Sequence, residues 1–175
     1  MSRRLISVAA VLLVLSPASA LAEVKSATPG GFEVGGTVAL SAPPARVWTV
    51  LTAPDSWWSR DHRWFKNSTL SLDLSPGGCW CEQAADGRVS RHLETALVEP
   101  GSKLVLRGGL GPLQGQGASG GLTFDLKAEG EGSLLTWSYI VGGYTPGGLD
   151  AWAGPVDGVL SAQLAGLKAR AEAAD

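Results

Sequence analysis

The chain has 175 residues, the size of one compact domain, of which 45% are hydrophobic and 17% charged. This composition supplies enough apolar surface for a core and excludes an intrinsically disordered chain. Since 14 basic residues face 16 acidic ones, the basic excess that binding to a phosphate backbone needs is missing, and nucleic acid is not an expected partner.

The N-terminal residues have the pattern of a signal peptide. The basic region consists of Arg3 and Arg4, and the apolar region is Leu5–Leu15. The small-residue cleavage site is either Ala18-Ser19-Ala20 or Ala20-Leu21-Ala22. The alternative is a membrane anchor, but this apolar region is shorter than the roughly 20 residues that span a bilayer. We therefore predict a signal peptide over residues 1–22, one domain over residues 23–175, a periplasmic or secreted location and no membrane span after cleavage.

The mature chain begins with a strand and a short helix. Phe32–Ser41 alternates loosely between apolar and polar residues and ends before two prolines, which predicts a strand. Ala45–Leu51 has apolar residues at helical spacing behind those prolines, which suit a helix N-terminus. Thr52–Asn67 is polar and rich in aromatic residues, so we predict a loop or single helical turns.

Short strands separated by turn residues follow. They are predicted at Leu70–Leu74, Cys79–Ala84, Arg88–Val98, Lys103–Arg107, Leu122–Leu126 and Leu134–Val141. Because short loops join only antiparallel neighbours, these strands and the first one predict a mostly antiparallel sheet of about seven strands. Gly108–Gly121 lacks the Lys-Ser/Thr ending of a phosphate-binding loop and is predicted to be a flexible lid or connection.

The C-terminal segment changes to the 3.6-residue period of an amphipathic helix. The residues on its apolar face are Val156, Val159, Leu160, Leu164, Leu167 and Ala171. Pro155 suits the first turn of this helix, so we predict Leu149–Ala153 to be a separate turn. A curved sheet covered on its apolar face by such a helix gives an α+β architecture.

In this order of elements the chain resembles the START-like, or SRPBCC, superfamily with its helix-grip fold. The resemblance covers residues 32–172 and rests on the final helix and on four motifs, Ser41–Thr52 (SAPPARVWTVLT), Asp55-Ser56-Trp57-Trp58, Pro76-Gly77-Gly78 and Val98-Glu99-Pro100-Gly101. It implies a sheet wrapped around the final helix and a cavity for lipids, sterols, polyketides or other apolar molecules. Some members resemble polyketide cyclases or dehydrases, and others activate a chaperone ATPase inside the cell, a role that export argues against. No catalytic motif of the cyclases can be placed on this sequence.

Seven tryptophans are the most unusual feature of the composition. Large flat rings with a polar N–H suit a cavity for an apolar or aromatic ligand, and the alternative is ordinary core packing. Three of the rings cluster in the loop after the first helix, where large aromatic side chains rarely occur without something to cover. The predicted ligand-binding residues are Trp57, Trp58, Trp64, Trp80, Glu82, Arg91, Trp137, Tyr139 and Trp152.

Asp86-Gly87 predicts a two-residue hairpin turn that sets the register of the strands on either side. Counting outward from this turn gives the pairs Glu82–Arg91, Cys81–His92, Trp80–Leu93 and Cys79–Glu94. The apolar side, assigned to the cavity, then consists of Trp80, Val89, Leu93 and Leu97. The Glu82–Arg91 pair is either a polar contact for the ligand or a structural ion pair.

The other side of the hairpin gathers Cys79, Cys81, His92 and Glu94, a set of ligands that suits one Zn or Cu ion. Otherwise no cofactor is expected. The alternatives are free small residues, a Cys79–Cys81 bridge and disulfides between molecules. Residues i and i+2 of a flat strand are about 7 Å apart, too far for an unstrained bridge. A bulge could bring the sulfurs together, and an exported protein meets an oxidising compartment.

The sequence thus predicts an exported protein that binds a small apolar or aromatic molecule or a lipid. The alternatives are an enzyme of the cyclase or dehydratase kind in the same cavity, or a metal or redox role for the cysteine hairpin. The acid or base of such an enzyme would be His62, Glu82 or Tyr139. His62 lies beside the tryptophan cluster and is the candidate catalytic residue, with a solvated loop position as the alternative.

Overall fold

The computed structural model describes residues 21–174. Its strands and α-helices are β1 (Leu21–Thr28), β2 (Gly31–Leu40), α1 (Pro44–Leu51), β3 (Ser68–Leu72), β4 (Cys79–Ala84), β5 (Val89–Glu99), β6 (Lys103–Gly108), β7 (Gly117–Glu129), β8 (Gly132–Tyr144) and α2 (Asp150–Glu172). Short 3-10 turns lie at Pro54–Ser56, Arg60–His62 and Gly111–Gly115. The predicted signal peptide over residues 1–22 lies outside the described residues, apart from the two positions at which β1 begins.

The strands of residues 21–174 form one curved antiparallel sheet in the order β1-β2-β8-β7-β6-β5-β4-β3. This confirms the α+β helix-grip fold, with eight strands among the described residues where about seven were predicted. The missing strand is β1, which pairs with β2 across the turn at Pro29 and Gly30. Residues 23–28 of β1 are all exposed, so this edge strand has no alternating apolar pattern that a sequence could reveal.

The inner face of the sheet is covered by α2, as the 3.6-residue period predicts. Leu160, Leu164 and Leu167 are buried in the core. The predicted start of this helix is wrong, because α2 begins at Asp150 and includes Pro155 in its second turn. A proline this close to a helix N-terminus removes only one backbone hydrogen bond, and the buried Ala153 before it anchors the first turn. Among residues 21–174, no helix has the length and hydropathy needed to cross a bilayer.

Candidate ligand pocket

A pocket of about 320 Å³ lies between the first half of α2, the aromatic loop after α1 and the 3-10 turn after β6. Its apolar walls are formed by Trp58, Trp64, Leu110, Pro112, Leu113, Trp152, Pro155, Val156, Val159 and Leu160. The polar side chains on its lining are His62, Arg63 and His92. A concave, mainly apolar site with a few polar groups is the usual form of a site for a small molecule.

The predicted aromatic ligand-binding residues divide between this pocket and the core. Trp58, Trp64 and Trp152 line the pocket, and Trp64 is 48% exposed. Trp57, Trp58 and Trp80 pack against one another edge to face, with ring centroids 5.2 to 6.1 Å apart. Trp57 and Trp80 therefore have the core-packing role that was the alternative. Trp137 is buried on β8 and is likewise outside the pocket lining.

Tyr139 is fully buried and supports a wall of the pocket from behind. Its hydroxyl accepts a hydrogen bond from the Leu110 N–H (3.0 Å) and donates one to the Gly108 carbonyl (2.8 Å). Burial raises the pKa of Tyr139 to about 12. The side chain is thus a neutral support for the loop that carries Leu110 and Leu113, and it lies outside the pocket lining, although it was predicted to bind the ligand.

Glu82 is fully buried, and its partner is not Arg91 as predicted. Its carboxylate accepts hydrogen bonds from the backbone N–H groups of Trp64 (3.0 Å) and Phe65 (2.7 Å), from Ser68 Oγ (2.7 Å) and from His92 Nε2 (3.0 Å). Burial is the largest single influence and opposes ionisation, but these hydrogen bonds together lower the pKa of Glu82 below its ordinary value. The carboxylate is therefore ionised at neutral pH and fixes the backbone of the aromatic loop.

Two irregularities of the β4–β5 hairpin explain why His92 reaches the pocket. The turn has three residues, since Ala84 N–H bonds to the Arg88 carbonyl and Gly87 adopts a φ of 90°. The pairs near the turn are therefore Glu82–Ser90 and Cys81–Arg91. A bulge at His92 then restores the predicted pairs Trp80–Leu93 and Cys79–Glu94. The predicted pairs Glu82–Arg91 and Cys81–His92 are wrong for this reason, and His92 and Leu93 are both buried.

The irregular register of β5 also explains why two apolar residues were predicted to lie on the wrong face of the sheet. Val89 and Leu97 were predicted to face the cavity, but they are 67% and 41% exposed. Val89 lies before the first bulge of β5, and a further irregularity between Thr95 and Leu97 shifts the strand again. Each shift of one residue moves the following side chains to the opposite face.

His92 is a neutral base at the pocket wall. Its Nε2 donates to Glu82, and its Nδ1 accepts a hydrogen bond from Gln114 Nε2 (3.1 Å), which assigns the Nε2-protonated tautomer. Burial lowers the pKa of His92 below its ordinary value of 6.5, although the Glu82 carboxylate favours the cation. Because the unfolded chain then binds a proton more readily than the folded one, this histidine lowers stability as the pH falls below about 6.5.

His62 is exposed at the pocket, and α2 holds it in place. Its Nδ1 lies 2.6 Å from Nε2 of Gln163, whose Oε1 accepts the Ser59 N–H (2.7 Å). Gln163 is buried, although it is not among the residues of the predicted apolar face. Its spacing of four residues from both Val159 and Leu167 is the signal that could have identified it.

A buried arginine fixes the middle of the aromatic loop. Arg63 lines the pocket, and its guanidinium contacts Asp55 Oδ1 (2.6 Å) and the carbonyls of Ser68 (2.9 Å) and Trp58 (3.0 Å). The hydrogen bond from the Leu70 N–H lowers the pKa of Asp55 most, and Arg63 lowers it further. Asp55 and Arg63 therefore form an ion pair at neutral pH. Arg63 was not predicted as a site residue, because nothing in a polar loop indicates which charged side chain is buried.

Cys79 and Cys81 form a disulfide, with their Cα atoms 5.3 Å apart. The four residues predicted to bind Zn or Cu are not brought together, because His92 lies on the inner face with Glu82 while Cys79, Cys81 and Glu94 lie on the outer face. Among the described residues, no group of three or more His, Cys, Asp or Glu side chains is arranged to hold a metal ion.

The family model for polyketide cyclase, dehydrase and lipid transport proteins matches residues 32–172. The chain belongs to this family. This match confirms the START-like superfamily that the sequence motifs resemble. No curated protein matches the sequence.

Three solved structures with this fold are distant from this chain in sequence. An uncharacterized protein from Rhizobium leguminosarum is 20% identical with a TM-score of 0.61, over 87% of this chain and 97% of that one. CalU16 from Micromonospora echinospora is 18% identical with a TM-score of 0.55, over 91% and 88%. DynU16, from the dynemicin biosynthetic locus, is 21% identical with a TM-score of 0.55, over 78% and 46%. At these identities the likeness establishes the fold of this family member and nothing finer.

Proposed function

We propose that this family member binds a small apolar or aromatic molecule in the pocket between α2 and the aromatic loop. The observation that carries the proposal is the pocket itself, with about 320 Å³ of space behind mainly apolar walls. Pockets for small molecules usually measure about 300–1,000 Å³, so this volume favours a compact molecule over a lipid with two long chains. His62 and His92 would orient a polar edge of that molecule.

A pocket-filling substitution tests this function. Replacing Val159 with phenylalanine is expected to abolish binding, because the half-buried Val159 lines the pocket and the larger ring would occupy its space. The measurement is quenching of tryptophan fluorescence during titration with fatty acids, sterols and polycyclic aromatic compounds, since Trp58, Trp64 and Trp152 line the pocket.

The matched control is Ile140→Phe, because Ile140 is 56% exposed on β8 and outside the pocket lining. This variant is expected to bind like the wild type, and both variants should keep the secondary structure of the wild type by circular dichroism. Undiminished binding by Val159→Phe, or no binding by the wild type to any member of the panel, would contradict the proposal.

A second candidate function is acid–base catalysis in the same pocket, of the cyclase or dehydratase kind. The observation that favours it is the Glu82–His92 pair at the wall. Glu82 accepts the Nε2–H of His92, so the Nδ1 lone pair is directed at the exposed side chain of Gln114. Gln114 lines the neighbouring polar concavity and not the apolar pocket, so a substrate in the pocket would have to displace it to reach Nδ1. A neutral imidazole oriented by a buried carboxylate beside an apolar cavity is the arrangement of a general base.

Proton abstraction can be tested with 5-nitrobenzisoxazole, a compact aromatic compound that opens to a coloured nitrophenolate when a base removes its C–H proton. We expect His92→Gln to lose turnover while keeping binding, and Gln114→Ala to keep or raise turnover. Since the pKa of His92 is lowered, the rate should rise with pH and reach half of its plateau below pH 6.5, the ordinary pKa of a histidine. Binding without turnover above that of free imidazole would leave only the binding function.

We also propose that the protein is exported and acts in the periplasm or outside the cell. The disulfide supports this location, because such bonds persist mainly in oxidising compartments. Cleavage after Ala20 would retain all of β1, whereas cleavage after Ala22 would remove its first two residues. N-terminal sequencing of protein recovered from the periplasm or the medium distinguishes the two sites, and recovery of the uncleaved chain from the cytoplasm would refute export.

A further inference from the structure

The Cys79–Cys81 disulfide lies on the outer face of the sheet, away from the pocket. Both cysteines are half-buried, whereas Trp80 between them is buried on the inner face. The bond joins residues only two positions apart, so it restricts the unfolded chain far less than a bridge between distant segments would. Stabilisation of the fold therefore does not explain it, and a chemical role is the alternative.

The charges around the two sulfurs are distributed unequally. Arg91 lies directly opposite Cys81 on β5, and Glu94 lies directly opposite Cys79. On the other side of Cys79, the backbone N–H of Asp73 bonds to the Cys79 carbonyl, so a second acidic residue is a neighbour of this cysteine, with its carboxylate bonded to Ser75. Directly opposite residues have their Cβ atoms about 5 Å apart on the same face. Cys81 therefore has an arginine as its cross-strand neighbour and Cys79 has two acidic neighbours, one of which, Glu94, is paired with that arginine.

The irregular hairpin produces this arrangement. The bulge at His92 turns Arg91 and Glu94 to the same outer face, where Arg91 Nη1 and Glu94 Oε2 are 3.0 Å apart and the side chains are 66% and 46% exposed. A polar concavity of about 340 Å³ begins beside them and includes Arg107, which lies opposite Glu94 on β6. Neither cysteine lines this concavity, but Arg91 and Arg107 place two positive charges on the β5–β6 side of Cys81, which would attract a thiol that carries carboxylates.

We propose that the Cys79–Cys81 disulfide exchanges with thiols and oxidises peptide or protein dithiols, with Cys81 as the sulfur that is attacked. A substrate thiolate, drawn by Arg91, attacks Cys81 Sγ; the bond between the two cysteines breaks, and Cys79 leaves as a thiolate that takes up a proton. The second substrate thiol loses its proton and attacks the substrate sulfur of the mixed disulfide, releasing Cys81 as a thiolate that the guanidinium stabilises. The substrate loses two electrons and two protons; the cysteine pair gains two electrons and one proton, taken up by Cys79, and the other proton goes to solvent. This function goes beyond ligand binding in the pocket and does not depend on it.

Single-cysteine variants test the asymmetry. We expect Cys81 in Cys79→Ser to react with the neutral reagent 2,2′-dithiodipyridine faster than Cys79 does in Cys81→Ser, by about two- to fivefold, the size of effect that an exposed charge can exert. Adding Arg91→Gln should slow Cys81 by a similar factor and leave Cys79 nearly unchanged. Molar salt should diminish the difference, since it screens exposed charges.

The unaltered protein provides a test that does not depend on variants folding. We expect glutathione to open its disulfide faster than it opens the oxidised peptide of residues 78–82, which has the same bond without the neighbouring strand. Equal rates for protein and peptide, equal reactivity of the two single cysteines, or two free thiols in the air-oxidised protein would each overturn the proposal.

Discussion

Replacing Glu82 with alanine is expected to lower the free energy of unfolding by about 3–5 kcal/mol, because a buried charge leaves its partners unpaired when it is removed. The carboxylate accepts hydrogen bonds from two backbone N–H groups of the aromatic loop, from Ser68 and from His92. Without it, the Trp64 and Phe65 N–H groups and the His92 Nε2–H lose the acceptor that they have in the structure. Urea denaturation at pH 7, followed by circular dichroism, measures the change.

Glu94→Ala is the matched control for that prediction. Glu94 lies on the neighbouring strand, but its carboxylate is 46% exposed and pairs with Arg91 at the surface, so its removal should cost less than about 1 kcal/mol. Glu82→Gln should fall between the two, since its amide oxygen can still accept while its amino group meets other donors. A Glu82→Ala variant as stable as Glu94→Ala would show that the aromatic loop does not depend on the buried carboxylate.

The fold was predictable because most of its elements carry periodic apolar signals. The alternating burial of β8 and the row of Leu160, Leu164 and Leu167 on α2 follow directly from the sequence. β1 was not predictable, since an exposed edge strand needs no apolar residues. The early start of α2 was not predicted, because Pro155 was assigned to the first turn of the helix. The packing of the buried Ala153 instead stabilises a helical turn before the proline.

The pocket was predictable only in part. The sequence identified Trp58, Trp64 and Trp152 from the density of large aromatic residues, but it could not separate rings that line a cavity from rings that pack on one another. The contact between Glu82 and His92 was hidden by two compensating irregularities, a three-residue turn and a bulge. Such irregularities depend on the packing of both faces of the sheet, which local sequence patterns do not record.

Glu82 links the packing of the core to the polar wall of the pocket. One oxygen of its carboxylate accepts hydrogen bonds from the Phe65 N–H and the Ser68 hydroxyl. The other accepts hydrogen bonds from the Trp64 N–H and His92 Nε2. The carboxylate that fixes the aromatic loop therefore also sets the tautomer of the base at the pocket wall. A substitution there is expected to change the pocket and the stability together, whereas His92→Gln, which keeps a donor for Glu82, separates the two effects.

Replacing Trp80 with alanine is expected to lower the free energy of unfolding by about 3–5 kcal/mol, because a large buried ring is lost and leaves a cavity. Trp80 is 2% exposed and contacts Trp57 and Trp58 edge to face, with ring centroids 6.1 and 5.2 Å away. Urea denaturation followed by circular dichroism is the suitable measurement, since the substitution itself alters the tryptophan fluorescence.

Substitution by phenylalanine at Trp80 and at Trp58 distinguishes the contribution of ring packing to stability from that of hydrogen bonding. Trp80 Nε1 is buried and has no hydrogen-bond partner among the described residues, so Trp80→Phe removes an unsatisfied donor together with part of the ring. Trp58 Nε1 instead donates to the His62 carbonyl (3.1 Å), and Trp58→Phe breaks this bond. Trp80→Phe should therefore destabilise the protein less than Trp58→Phe, although Trp80 is 2% exposed and Trp58 7%. The opposite order would mean that packing volume, and not hydrogen bonding, determines the cost at both positions.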